Sequence, residues 1–350
     1  MASQRAPAAT STFLAGLPRL LVVAVGLPIM IVLADQLAIE ASKSIAAARI
    51  VLPVLFVAQV GVLSACAGRF IDNVFLRCVV FVWAIALVDA LALLTMFFGL
   101  GTVSQCMMFA LLSGQIGLLT IWGMMSGMTW PVRMPIFFVL ISSFVIIMLR
   151  APGMTPWRNE SEIWAIILAL QGAVVVGLCS ILRFRGYRIL PPIGDDHGAG
   201  AADREQFQFS IKHIILWMTA TGPILVLAKG IDWLLLESLE LFWAVLLALA
   251  MALVSWVTMF SALGSGHYRL RILMLSSVPP MIGLLLTWVT SHWTMSGTSS
   301  NSSRLFIELR QFGFGWVLWS ALAAWFLAAL LLVFRAAGYR IMRARRTVDV

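Results

Sequence analysis

The sequence predicts an all-α fold: a polytopic transmembrane helix bundle of about ten spans, built as a tandem parallel repeat of a four-helix unit. Three observations lead there. The 350-residue chain is 61% hydrophobic and only 11% charged. Soluble domains carry about 25% charged residues, so this composition calls for a bilayer as solvent. Ten stretches are apolar enough to cross one, and scarce residue types recur at fixed offsets along the chain.

A spanning helix needs roughly 20 mostly apolar residues. In order, the candidates are 13–34, 50–67, 78–99, 104–127, 134–149, 162–182, 211–229, 239–263, 270–291 and 313–334. These runs are continuous and lack the alternation a barrel wall requires, which selects helices. The first is read as an uncleaved anchor, since "IMIVLADQLAIEA" offers no convincing small-residue cleavage site.

Orientation follows from Lys and Arg. With the N-terminus cytoplasmic, the inner segments hold 17 basic residues and the outer ones 7, in the sense of the positive-inside rule. Both termini are then cytoplasmic. The net charge of +9 reads as this bias plus attraction to anionic lipid at the cytoplasmic face, not as nucleic-acid binding.

The heptapeptide "RFRGYRI" at 183–189 returns as "RAAGYRI" at 335–341, an offset of 152, and each copy follows an apolar run. Gly186 and Gly338 suit the left-handed residue just past a helix end. Tyr187 and Tyr339 would lie at headgroup level while Arg183, Arg188, Arg335 and Arg340 snorkel to phosphates, making these six residues interfacial anchors. Docking of a cytoplasmic partner is the other reading of the motif.

The same offset aligns Trp164 with Trp316. An offset of 134 aligns Trp83 with Trp217, Ser104 with Ser238, Trp122 with Trp256, and Ser142-Ser143 with Ser276-Ser277. The chain therefore divides into a two-helix appendage (1–76), a first four-helix repeat (77–190), a linker (191–209) and a second repeat with a basic tail (210–350). Four spans is an even number, so both copies enter and leave on one side, as parallel repeats about an axis along the membrane normal do. The joint "PPIGDDHGAGAADREQFQ" is polar and rich in Gly and Ala, and reads as a cytoplasmic linker.

The second copy opens on Phe209, Ser210, Ile211 and Lys212, followed by Ile214 and Ile215. This start resembles the FS-[IL]-[KR]-x-[IL]-[IL] helix opening of uncharacterised multi-span membrane proteins of planctomycete bacteria. The resemblance covers one helix. It implies a bacterial inner membrane and no particular activity.

No catalytic pair is visible, and the chain is read as non-enzymatic. Cys66, Cys78, Cys106 and Cys179 are dispersed, the four histidines are isolated, and no metal, phosphate-loop, dinucleotide or nucleophile-elbow pattern occurs, so neither metal nor cofactor is expected. The chemistry that remains is a polar set near the bilayer midplane: Asp89, Gln115 and Gln171. A carboxylate at that depth costs at least ~2.5–3.5 kcal/mol, which turns it toward the bundle or a watery cavity. Asp89 either donates a hydrogen bond as a neutral acid and holds helices together, or titrates and couples a proton or cation to solute movement. The aligned residues of the second copy are Pro223, Leu249 and Ala323.

Small residues mark close helix packing. Gly61 with Ala65 and Gly123 with Gly127 form small-xxx-small steps; the second pair also allows a homodimer. Pro223 and the "SSVPPM" stretch with Pro279 and Pro280 are places where a helix can break. Leu305, Leu309 and Phe312 would form one face of a short surface helix. A structural or regulatory membrane protein needs nothing beyond these features; a transporter needs the Asp89 set.

Overall fold

The computed structural model describes residues 22–44, 48–71, parts of 76–86, 102–125, parts of 135–142, 161–190, 238–296, 313 and 315–343. Asp89, Gly127, the linker, the 211–229 stretch with Pro223, the planctomycete-like helix start and the "SSRLFIELRQF" segment lie outside them.

A π-turn at Val22–Gly26 leads into α1 (Leu27–Ser44). Then come α2 (Ala48–Phe70), α3 (Thr102–Met125), α4 (Ser161–Phe184), β1 (Tyr187–Leu190), α5 (Ser238–Leu263), α6 (Tyr268–Ser296), α7 (Gly315–Ala336) and β2 (Arg340–Arg343). Among the described residues, five helices are long and apolar enough to cross a membrane: α3, α4, α5, α6 and α7. The chain is thus a helical protein of membrane type, and its described residues include one short two-stranded ribbon that helix periodicity did not announce. Expected ends fall within a few residues of the observed ones for α2 to α7. The first helix differs more, since α1 runs on to Ser44 through Asp35 and Glu40.

Helix direction can be read from side-chain neighbours. On α2 and α7, Gly61 lies against Ala329 and Leu332, while Gly68 lies against Val333 and Ala336, so the two helices run in parallel. Cys106 Sγ approaches Gly315 O at 3.7 Å and Gly114 faces Ala323 and Leu327, so α3 is parallel to α7 as well. Helix α4 keeps step with α3, from Trp164 stacked on Phe109 to Arg183 on Met124. The end of α5 lies beside the end of α7, where Arg335 meets Ala262. Helices α2, α3, α4, α5 and α7 therefore all finish at the end that carries the ribbon. Helix α6 runs the other way: Gly283 packs on Trp316, Val317 and Ser320, and Thr287 donates to Gly313 O at 3.0 Å. It passes through Pro279 and Pro280 as one continuous helix, so the expected break does not occur there. Membrane helices tolerate such prolines because neighbouring groups re-satisfy the freed backbone.

The core is centred on α3 and α7, whose buried faces hold Ile116, Ile121, Trp316, Trp319, Phe326 and Leu330. Around them α3 packs on α4, α4 on α5, α5 on α7 and α7 on α3, with α2 and α6 also seated on α7. Glycine makes the closest approaches possible. A Cβ on Gly68 would run into Val333 O and the Ala336 methyl, and one on Gly283 would stand 2.5 Å from Val317 Cα. Gly61 and Gly68 thus face Ala329 and Ala336 at the same seven-residue spacing, the small-on-small stripe by which parallel helices associate where no hydrophobic effect drives them together. Gly123 is buried within α3. Helix α6 presents Leu270, Leu273, Met281, Leu284, Leu285 and Trp288 outward; water would penalise such a face, and lipid would not.

Candidate functional site: a closed amide node and an arginine-capped end

Gln171 sits near the middle of α4 and is 0% exposed. A primary amide sealed in apolar surroundings costs several kcal/mol unless its donors and acceptor are met. Here they are met from two other helices. Ser113 Oγ on α3 donates to Gln171 Oε1 at 2.7 Å. Gln171 Nε2 donates to Ser113 O at 3.0 Å and to Ser255 Oγ on α5 at 3.2 Å. The Ser255 hydroxyl passes its own proton to Met251 O at 2.9 Å. Gly117 makes room for this: a Cβ there would stand 2.9 Å from Ser255 Oγ. Three helices are joined at one point.

Each side-chain hydrogen of the node is committed. The two amide hydrogens, the Ser113 proton and the Ser255 proton all have acceptors within the node or in its own helix. The node contains no ionisable group.

Of the predicted midplane set, the structure brings Gln171 to a junction but with other partners than expected. Gln115 is buried on α3, two residues beyond Ser113, and is not among the hydrogen-bond partners of Gln171. Asp89 lies outside the described residues. Ser113 and Ser255 were missed because serine in an apolar helix ordinarily bonds its own i−4 carbonyl, as Ser255 does, and so carries little signal. The one available hint was that Ser255 adjoins Trp256, which recurs at the 134 offset.

The predicted anchors gather at the ribbon end. Gly186 and Gly338 have φ of 85° and 90°, the left-handed values expected past a helix end. Around Gly338 the Schellman pattern is complete: Gly338 N donates to Arg335 O at 3.0 Å and Tyr339 N to Phe334 O at 2.9 Å. The Tyr339 ring meets Phe334 edge-on at 6.4 Å, which adds the apolar contact typical of the motif. Gly186 N repeats the bond to Arg183 O at 3.0 Å. Each turn then feeds a strand, and the two strands pair antiparallel: Tyr187 opposite Arg343, Arg188 opposite Met342, Ile189 opposite Ile341, Leu190 opposite Arg340. Tyr187 is half-buried against the main core.

Arg183 and Arg335 act alike. Arg183 Nη1 donates to Met124 O at 2.8 Å, capping α3. Arg335 Nη1 donates to Ala262 O and Gly264 O, each at 3.1 Å, capping α5. Arg271 joins the second cap through Ser261 O at 2.6 Å and Ala262 O at 2.9 Å. Arg77 caps α2 in the same way, on Ile71 O at 2.6 and 2.9 Å. The physical need is clear. Five parallel helices put five sets of unpaired carbonyls, each about half a negative charge, at one end, and cations there offset them. At the opposite end, Glu162 and Glu240 stand in the first turns of α4 and α5.

The described cysteines, Cys66, Cys106 and Cys179, are free thiols. Among the described residues, no cluster of His, Cys, Asp or Glu could hold a metal ion. No family model matches the chain, and neither a curated protein nor a solved structure matches it significantly.

Proposed function

We propose that the chain is a non-enzymatic, structural or regulatory multi-pass protein of a bacterial inner membrane, with ten spans and both ends in the cytoplasm. The observation that carries this reading is the closed node. A solute or proton pathway needs a polar group with capacity left to offer, and the Gln171 node spends its hydrogens on helix-to-helix bonds. Its chemistry is that of a lock between α3, α4 and α5.

The span count rests on direction. Helices α2, α3, α4, α5 and α7 run the same way, so the chain crosses back between each successive pair. Helix α6 is one return; the other three connections are each on the order of 30–50 residues, enough for a span of roughly 20. With α1 this makes ten. The tandem repeat is supported by the neighbour pattern: α3 on α4 corresponds to α5 on α7, and α4 on α5 corresponds to α7 on α3. The orientation rests on the arginines at the ribbon end and on the positive-inside rule.

Purified protein in liposomes that enclose a pH-sensitive dye should show no proton movement dependent on Asp89. Solute-driven acidification that disappears in Asp89→Asn would replace this reading with a proton- or cation-coupled transporter.

A further inference from the structure

We propose that the groove between α2, α6 and α7 is a binding site for one anionic glycerophospholipid, its phosphate held by Arg271 and Arg335. The groove has a volume of about 720 Å³ and is walled by Val57, Gly61, Val62, Leu275, Trp325 and Leu332. At the ribbon end it closes on Tyr268, Arg271 and Arg335.

Two features select the ligand class. The first is charge. Arg271 and Arg335 are pinned side by side because both donate to the same carbonyl, Ala262 O. Arg340 of β2 adds a third positive charge within electrostatic reach of both. The α5 terminus returns only about half a negative charge, and among the described residues no carboxylate pairs with Arg271 or Arg335. Arg271 gives its Nε and Nη2 to carbonyls and Arg335 its Nη1, so each five-donor fork keeps N–H groups for an anion. Tyr268 accepts from Arg269 Nε at 3.1 Å and retains its hydroxyl proton to donate.

The second feature is length. From Trp325 to Arg335 the groove follows α7 for about 15 Å, half of the ~30 Å hydrocarbon core and therefore one leaflet. A cationic mouth at the headgroup level and an apolar trough one leaflet deep match an anionic head with an acyl chain. Inorganic phosphate would use only the mouth.

This site rests on the proposed membrane orientation, and the experiment separates the two. Thermal unfolding of the full chain in detergent is followed with added phosphatidylglycerol, phosphatidylcholine or inorganic phosphate. Phosphatidylglycerol should raise the Tm, and the other two should not. The double variant Arg271→Gln, Arg335→Gln should weaken the apparent affinity for phosphatidylglycerol about 30-fold, each charge near an anionic surface contributing about fivefold. Because these arginines also cap α5, Val62→Trp provides a second variant. Val62 lines the groove and is 48% exposed, so the larger side chain fills the trough and leaves the cap intact. It should lose the phosphatidylglycerol shift too. Retention of the shift in Val62→Trp, or equal stabilisation by inorganic phosphate or phosphatidylcholine, would overturn the lipid site. A reporter fused after Val350 tests the orientation independently: cytoplasmic signal without a lipid shift defeats this inference alone.

Discussion

Ile189 stands directly opposite Ile341 in the ribbon, and the two are separated by 152 positions, the offset that relates the two copies of the repeated heptapeptide. An antiparallel ladder has a local two-fold axis, and here it passes through repeat-equivalent residues. The recurrence of "GYRI" thus has a physical use: each copy supplies half of one ribbon. Directly opposed residues in such a pair have Cα atoms about 4.5–5.5 Å apart, within the range a disulfide spans. In a background lacking the four native cysteines, Ile189→Cys with Ile341→Cys should form a disulfide under mild oxidant. With a protease site inserted near Gly198, the two halves should stay joined on a gel until reduced. Halves that separate after oxidation and cleavage would mean the ribbon does not form.

The Gln171 node should be measurable as a coupling between helices. Gln171→Leu leaves Ser113 and Ser255 without their amide partner, and Ser255→Ala removes one of its bonds. Polar contacts of this kind in membranes average ~0.6 kcal/mol and reach ~1.7. A double-mutant cycle on Gln171→Leu and Ser255→Ala, read by unfolding in detergent, should give a coupling in that range. Additive effects would remove Ser255 from the node.

Gly68, where α2 comes nearest to α7, should not be replaceable. Gly68→Ala forces a methyl into Val333 O and Ala336, and overpacking of this sort costs about 1–3 kcal/mol. Gly177 is the control, since a Cβ there meets nothing within 4 Å. Gly177→Ala should be neutral or stabilise α4 by up to about 1 kcal/mol through helix propensity. Equal effects of the two substitutions on the Tm would show that the close approach at Gly68 is not formed.

Helices α2 to α7 and their ends were legible because a bilayer demands long apolar runs, and the ribbon's turns because glycine after a basic helix end is a strong local signal. The pairing of the two "GYRI" strings was not legible. Tyr187 and Tyr339 look like headgroup anchors equally well whether their strands are apart or together. The node was half legible. Gln171 stands out in an apolar helix, but its partners are serines, and its sequence-neighbour in depth, Gln115, is not one of them. The arginine caps illustrate the same limit. Arg183 and Arg335 were expected to snorkel to phosphates, yet they also reach across to carbonyls of Met124 and Ala262, contacts that depend on which helix ends lie side by side.

The parallel run of helices makes a firm statement about sidedness. If α2, α3, α4, α5 and α7 all end at the ribbon, then every connection that follows one of them begins on the ribbon side. Reporter fusions after Arg133, near Gly198 and at Val350 should therefore give one and the same signal, which under the proposed orientation is cytoplasmic. Asn301 follows α6, the helix of opposite direction, so a fusion near Asn301 should report the outer side. An outer signal at Gly198 with a cytoplasmic one at Val350 would put β1 and β2 on opposite faces of the membrane. The ribbon could not then form, and the parallel arrangement of the two repeats would fall with it.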